Sequence, residues 1–378
     1  MPKQLFISID PGFDSMKVIA NGKFFKFPFN AIETDERKMS DYGTRDAFIL
    51  YKDDSGATWR VGQYARGLIY DNKAQVSQAE QLRDFYTEER FVSAEMTVGI
   101  RSAVAKAIME TGLFEEHAGL DIFLIIALPH AIRAKYMATV VGLLAGEHTF
   151  YMTFGNGHEH RFHFRIRESK IFTVSQTVAA ILGETSDDDG CINEEKFFYL
   201  SNGPTLVIDG GYYTVGLVPI SRGGSVDDSR AESDTTHAMK NVNIAISKAI
   251  SEYRSDIMHY SIEYLLAQGE TTLRHLKDGK VVTVDLADLR REKMYEVCQD
   301  FIQYINQKYN NLLDFRYVLV TGGTGASYYE QLLAYYKNLG LMDEQSMMLT
   351  SPRIQGVQLP IEFSIAAGAY KGLCGKTT

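Results

Sequence analysis

Apolar runs that end on an acid and a glycine punctuate this chain. Leu5 to Asp10 (LFISID) is such a run, with Gly12 close behind, and Ser15 to Ala20 (SMKVIA) is a second short run, so the two predict a tight hairpin. Lys23 to Phe29 continues in the same style. Glu33 to Asp46 is charged and predicts a loop, while Ala47 to Tyr51 and Thr58 to Gly62 predict strands around a turn at Asp53-Asp54-Ser55-Gly56. A helical pattern covers about Ser77 to Thr111, broken near Glu88, and Gly112 and Gly119 close it. Asp121 to Leu128 (DIFLIIAL) is a continuous apolar run of the kind buried on both faces, ended by Pro129. Ala131 to Leu144 suits a helix. His148 to Phe154 and Arg161 to Ile166 flank Gly155-Asn156-Gly157, a strong hairpin signal.

The second half repeats the plan. Thr205 to Asp209 (TLVID) again ends on an acid followed by glycine, and Tyr213 to Ile220 is the strand that returns. Thr235 to Tyr253 and Arg291 to Leu313 predict helices, the latter with Met294, Val297, Phe301, Ile305 and Leu312 along one face. Arg316 to Thr321 (RYVLVT) is a strand running into Gly322-Gly323-Thr324-Gly325, with a helix from Ser327 to Leu339 after it. The chain closes in a helix from Ile361 to Leu373. The device of strand, Asp, glycine turn and strand thus occurs twice, at Asp10 and Asp209, 199 residues apart. That period is too long for a solenoid and fits a duplicated two-domain α/β protein.

Composition narrows the function classes. The 378 residues suggest two to three domains at roughly 150 residues each. With 45% hydrophobic and 23% charged residues the chain is neither disordered nor fibrous. The 48 acidic against 39 basic side chains leave a net charge of −9, which argues against direct DNA binding through a broad basic face. Cys191, Cys298 and Cys374 show no CxxC or CxxH spacing, so neither a zinc site nor a disulfide framework is expected, and a reducing compartment fits best. The N-terminus turns polar at Asp10, too soon for a signal peptide, and the longest apolar run, Ile122 to Pro129, falls short of the ~20 residues of a membrane helix. A soluble, cytoplasmic protein is expected, with no membrane partner.

Three segments carry candidate chemistry. In IDPGFDSMK, Ile9 to Lys17, a strand-ending Asp10 followed by Gly12 exposes backbone N–H groups and the Ser15 hydroxyl for phosphate oxygens, and Lys17 adds a point charge. Asp10 has no packing reason to be there and can hold a hydrated Mg²⁺, which uses few carboxylates. IDGGYYTVGL, Ile208 to Leu217, offers the same parts in Asp209, Gly210, Gly211 and Thr214. One such turn reads as an ordinary Asx-type hairpin turn. Two matching turns half a chain apart do not. VLVTGGTGA, Val318 to Ala326, gives a strand, a glycine turn and a helix, so that Gly322, Gly323 and Thr324 can approach a base or phosphate closely. It has neither P-loop nor G-x-G-x-x-G spacing.

These motifs in this order, with PIEFSIAAGAYKGL after them, resemble the actin, heat-shock-chaperone and sugar-kinase superfamily, and within it most the bacterial actin-like ParM/StbA group that segregates plasmids. The resemblance covers essentially the whole chain. VSQTVAAILG, Val174 to Gly183, resembles the first connecting helix and places Gln176 where the family keeps a residue near the attacking water. Ala57-Thr58-Trp59-Arg60-Val61-Gly62-Gln63-Tyr64-Ala65 resembles a pattern of the first small subdomain. The chain departs at Pro11 and Phe13, where many relatives carry smaller or polar residues, and at Tyr212-Tyr213, where Thr or Ser is common.

The resemblance implies an α/β, actin-like fold: two duplicated α/β domains with ribonuclease H-like cores around a nucleotide cleft. It implies domain I at 1–175, with a small subdomain insertion at about 31–95 and the C-terminal helix 361–378 packing back, and domain II at 176–360. It implies slow hydrolysis of ATP, or GTP, to the diphosphate with Mg²⁺ held through water by Asp10, Gln176 orienting water, and Asp209 polarising it. Gly12, Ser15, Lys17, Gly210, Gly211 and Thr214 would bind phosphate; Gly322, Gly323, Thr324 and Lys240 would bind adenosine. The implied partners are further copies of the chain in a filament and a basic, ParR-like DNA-binding adaptor at a plasmid centromere. Two rival readings stay open: a non-polymerising small-molecule kinase or phosphatase of the superfamily, and a cytoskeletal scaffold for cell shape or division.

Other signals carry less. His158, His160 and His163 suggest a metal cluster, but on a strand His163 faces away from the other two. Asp187-Asp188-Asp189-Gly190 suggests a calcium loop, yet Phe198 stands where its twelfth-position Glu belongs, so a solvated loop is expected. Asp227 to Asp234 is expected to be another exposed loop. The 22 Tyr and 21 Phe fit core packing and subunit contacts equally well.

Overall fold

A computed structural model of the chain describes residues 2–13, 15–34, 49–62, 65, 88–155, 157–251, 257, 259–267 and 269–377. The expected helix start at Ser77, the loop positions from 35 to 48, and Asp14, Gln63, Tyr64, Asn156 and Tyr253 lie outside the described residues. The chain divides into two units, Met1–Lys196 with Ser351–Thr378, and Phe197–Thr350.

The first unit opens with β1 (Gln4–Pro11), β2 (Ser15–Ala20) and β3 (Lys23–Pro28), an antiparallel meander. Next come β4 (Ala31–Thr34), β5 (Ile49–Asp53) and β6 (Thr58–Val61), a 3-10 turn at Glu88–Val92, and α1 (Ala94–Glu110). Ser93 starts α1 because its hydroxyl accepts from the Met96 N–H at 3.1 Å, satisfying a donor that the first turn leaves open. The α-helix of this stretch therefore starts after Ser93, following the 3-10 turn that begins at Glu88. Then follow β7 (Asp121–Leu128), α2 (His130–Leu144), β8 (Gly146–Thr153), β9 (Glu159–Ile166), β10 (Ile171–Ser175) and α3 (Gln176–Thr185).

Strands β1, β7 and β10 run parallel, so the main sheet has the order β10-β7-β1-β2-β3. The centre of this sheet is covered on both faces, which is why DIFLIIAL does not alternate. The C-terminal helix Ser364–Gly375 lies along β1, where the buried Ser8 hydroxyl donates to the Ala366 carbonyl at 2.7 Å. Its predicted start at Ile361 is instead a 3-10 turn, Ile361–Phe363, following Pro360.

A second sheet of this unit has the order β4-β6-β5-β8-β9 and takes its strands from two separated stretches of sequence. Phe162, Phe164 and Ile166 are buried while Arg161 and Arg165 are exposed, the expected alternation of β9. Among the described residues no group of three or more His, Cys, Asp or Glu side chains is placed to share an ion. No helix among the described residues is long and apolar enough to cross a membrane.

His148 on β8 is buried; its Nε2 donates to the Leu144 carbonyl at 2.9 Å, and its Nδ1 has no hydrogen-bond partner among the described residues. Burial pushes its pKa below the usual histidine value. The unfolded chain therefore takes up a proton below about pH 6.5 that the folded chain refuses, so stability should fall as pH falls. Urea unfolding between pH 7 and pH 5 should show a steeper loss for the natural protein than for His148→Gln, whose amide can still donate to Leu144. Equal slopes would rule out this contribution.

The second unit begins within α4 (Glu194–Ser201) and contains β11 (Thr205–Gly210), β12 (Val215–Ile220), β13 (Glu232–Asp234), α5 (Met239–Ile250), α6 (His259–Ala267), β14 (Thr272–Lys277), β15 (Lys280–Asp285) and α7 (Leu286–Lys308), then β16 (Tyr317–Thr321), α8 (Gly322–Asn338) and β17 (Met347–Leu349). Its sheet, β13-β12-β11-β16-β17, has the topology of the first unit's main sheet read from the other end. The registers match as well: Asp10 faces Lys17 across β1 and β2, and Asp209 faces Gly216 across β11 and β12. The duplication inferred from two short motifs is thus a duplication of the whole sheet.

Two expectations are corrected here. Asp227 to Asp234 is not an exposed loop throughout, because it ends in β13 and Asp234 is buried. The Asp234 carboxylate accepts from the Thr236 and His237 N–H groups and from His237 Nδ1, which delays the helix expected at Thr235 until Met239. Nor is the acidic loop at Asp187 simply solvated. Asp187 accepts from the Cys191 N–H and Asp188 from the Gly356 N–H, and Gly190 (φ +82°) lies where a Cβ would strike the Lys371 carbonyl.

Candidate functional site

In an α/β sheet, ligands gather at the carboxyl ends of the parallel strands. In the first unit those ends are Asp10 on β1, Pro129-His130 after β7, and Ser175-Gln176 at the junction of β10 and α3. Asp10 is only 3% exposed, and both of its oxygens are engaged. Gln176 Nε2 donates to Oδ1 at 2.8 Å, and Lys17 Nζ sits 3.4 Å from Oδ2. Burying a carboxylate is costly unless it is paired, and these two donors supply the pairing. Lys17 is there because it faces Asp10 across the antiparallel register, a consequence of the tight turn at Gly12. A Cβ at Gly12 would meet the mobile end of Lys17 and come within 3.0 Å of the Ser15 carbonyl, so the turn is close-packed here. Its N–H donates to the Asp10 carbonyl at 3.0 Å. Ser15, the expected hydroxyl of this loop, is buried at the first position of β2.

Three residues of this corner escaped the sequence reading. His130 Nδ1 lies 3.1 Å from the Ser175 hydroxyl, joining the ends of β7 and β10 beside Gln176. The buried Arg90 donates through Nη2 to the Pro11 carbonyl and stacks on Phe13. The departures at Pro11 and Phe13 are the only sequence hint of Arg90, and nothing in a single sequence connects them.

The second unit builds its own site from the ends of β11 and β16. Gly210 has no room for a side chain because the backbone of Gly325 lies against it, and Gly322, at φ +79°, would strike the Gly210 carbonyl and Asp209 Oδ1. The glycine turn therefore does not precede a helix starting at Ser327, as the pattern suggested. It is the first turn of α8, pressed onto β11, and Thr321 at its N-cap makes no side-chain capping bond. Gly323 has open space where a Cβ would project. Thr324 is buried, and its hydroxyl donates to the Gly211 carbonyl at 2.7 Å, so it braces the Asp209 loop from the α8 side.

That loop closes through Gly211 N–H to the Thr214 carbonyl at 2.9 Å. The two tyrosines between them have structural jobs. Tyr212 packs into the cluster around Val242 and Ile246, and Lys240 Nζ lies 3.3 Å from the centre of the Tyr213 ring. The Lys240 N–H also donates to the Tyr212 carbonyl at 2.9 Å. Lys240, grouped by resemblance with the adenosine contacts, is thus tied to the second phosphate loop, and burial lowers its pKa.

No protein-family model and no curated protein sequence matches the chain. Solved structures do. A 15-stranded ParM filament from Clostridium botulinum is 17% identical with a TM-score of 0.68, each chain covered completely. The archaeal actin homologue Ta0583 is 16% identical with a TM-score of 0.67, over 99% of this chain and 100% of that one. Bacillus thuringiensis ParM with ATP is 14% identical with a TM-score of 0.62, again over both chains entirely. These likenesses span both units, both acid–glycine loops and the C-terminal helix, and the chain accordingly has an actin-like fold.

Proposed function

We propose that this chain is a nucleotide-driven actin-like protein that polymerises, hydrolyses ATP or GTP slowly, and segregates plasmid DNA through a basic DNA-binding adaptor. The observation that carries the reading is the bond from Gln176 Nε2 to Asp10 Oδ1. A carboxylate only accepts, so the amide must donate there and offers its Oε1 to a water proton. This bond supports a water-orienting role in phosphoryl transfer, where catalysis is positioning plus electrostatics. A Gln is a weak base, so turnover is slow, which suits a timer for filament disassembly.

The residues present fit a hydrated magnesium ion: Gln176 and Lys17 use two of the roughly four lone-pair sites of Asp10, leaving capacity for metal-bound water. When bound, the ion would neutralise charge on the β- and γ-phosphates. Within the first unit Lys17 would take phosphate oxygens, and within the second the Thr214 hydroxyl and the first turn of α8 would do so. Asp209, whose Oδ1 lies beside Gly322, would polarise the attacking water. Full-length likeness to a ParM filament supports self-association, and the net charge of −9 supports an adaptor rather than direct contact with DNA.

The test is light scattering on adding Mg-ATP or Mg-GTP, with electron microscopy of the product. Scattering should rise only with nucleotide, and filaments should be visible. Asp209→Ala should abolish phosphate release. Absence of both scattering and filaments at tens of micromolar protein would sink the polymer reading; normal phosphate release by Asp209→Ala would sink the assignment of its loop.

A further inference from the structure

We propose that Arg90 is the positioning residue of the first phosphate loop, clamping the Pro11–Phe13 turn from the protein side. Its effect on turnover rests on the function proposed above; the clamp itself does not. Arg90 comes from the 3-10 turn Glu88–Val92, some eighty residues from the loop it holds, and is 2% exposed. Burying a guanidinium is costly, so the contacts that offset it matter. Its Nη2 donates to the Pro11 carbonyl, and its central carbon lies 3.5 Å from the centre of the Phe13 ring, 4.5 Å from Phe91 and 5.3 Å from Phe29.

These are two demands at right angles. The flat face must rest on aromatic rings while an edge N–H reaches a carbonyl, which a planar guanidinium does and a lysine ammonium does not. The consequence for the loop is electrostatic as well as geometric. The Pro11 carbonyl is an acceptor that would repel a phosphate oxygen, and here it is held by a cation. The Gly12 N–H is already spent on Asp10, whose carboxylate is fixed by Lys17 and Gln176. The turn is therefore held at Gly12 by the Asp10 carbonyl and at Pro11 and Phe13 by Arg90. Proline supplies a fixed φ for the gripped carbonyl, and Phe13 supplies the platform, which accounts for both departures of this loop from its relatives. Ser93, which caps α1, donates its N–H to the Arg90 carbonyl at 3.2 Å, so the grip is anchored to a long helix.

The experiment pairs hydrogen exchange of nucleotide-free protein, followed over residues 12–16, with steady-state hydrolysis of Mg-ATP and Mg-GTP. A hydrogen bond from a charged donor is among the stronger ones, so Arg90→Lys should raise exchange in that segment, and KM, by about tenfold or more, with kcat changed about twofold at most. Phe13→Leu should do the same, and the double variant should be no worse than the worse single one, because both remove one clamp. Phe13→Leu carries the test if Arg90→Lys does not fold. Unchanged exchange and KM, additive single effects, or loss of protection spread over the whole unit would each overturn the proposal. Loop exchange that rises in a protein with no measurable nucleotide binding would uphold the clamp and refute the proposed function instead.

Discussion

Replacing Gln176 by Ala should slow nucleotide hydrolysis by about a hundredfold while leaving nucleotide affinity within about a factor of two. The expectation follows from which contacts the side chain makes. Gln176 is half-buried at the first position of α3, and its Nε2 bond to Asp10 leaves Oε1 as the acceptor end of the amide. A hundredfold loss corresponds to about 2.7 kcal/mol of transition-state stabilisation, within the range of one well-placed positioning group. Nucleotide affinity should persist because the proposed phosphate contacts sit elsewhere, on Lys17, the glycine turns and the first turn of α8. Gln176→Asn is the informative companion. It keeps the amide but is one methylene short of the 2.8 Å bond, so it should resemble Ala. Single-turnover phosphate release and equilibrium binding of a fluorescent nucleotide separate the two effects. A normal rate in Gln176→Ala would remove α3 from the mechanism; lost binding would make Gln176 a prop for Asp10 rather than a water-orienting group.

Asp10 and Asp209 were legible because an acid at the end of an apolar run has no packing reason to be there, and because the same anomaly occurs twice. Lys17 could be read because a tight hairpin fixes the residue opposite Asp10. The start of α8 was misread for a physical reason: Gly322 to Gly325 look like helix breakers, but the close approach of β11 is what demands them. The hairpin Thr272–Asp285 went unseen although Asp278-Gly279 between alternating apolar residues signals it, and both take the positive φ of such a turn. Arg90 and the His130–Ser175 contact were not legible at all, since they join segments 79 and 45 residues apart that share no local pattern. Buried polar contacts of this kind are fixed by tertiary packing, and a single sequence records only their two ends.

The same substitution should have opposite signs at two helical glycines, and the larger effect falls on the helix that carries Gln176. Gly142, exposed on α2, has open space where a Cβ would project, so Gly142→Ala should stabilise by about 0.5–1 kcal/mol through helix propensity and a less free unfolded chain. Gly368 lies in the C-terminal helix where that helix crosses α3. A Cβ there would run into the Ala179 carbonyl, a backbone atom that moves only if the helix does, and Gly183 faces it across the crossing. The crossing is further fixed by the buried Lys371, whose Nζ donates to the Gly183 and Ser186 carbonyls at 2.8 Å each and so satisfies the carboxyl end of α3. Gly368→Ala should therefore destabilise by about 2–3 kcal/mol despite the propensity gain, as overpacking against a rigid neighbour does. Because α3 must shift to admit the methyl, Gln176 at its other end should be displaced from Asp10, and turnover should fall in molecules that remain folded. Urea unfolding of both variants, with phosphate release measured well below the transition, checks the pair. A stabilised Gly368→Ala would mean that the two helices do not meet at this crossing, and the rigid mounting of Gln176 would have to come from elsewhere.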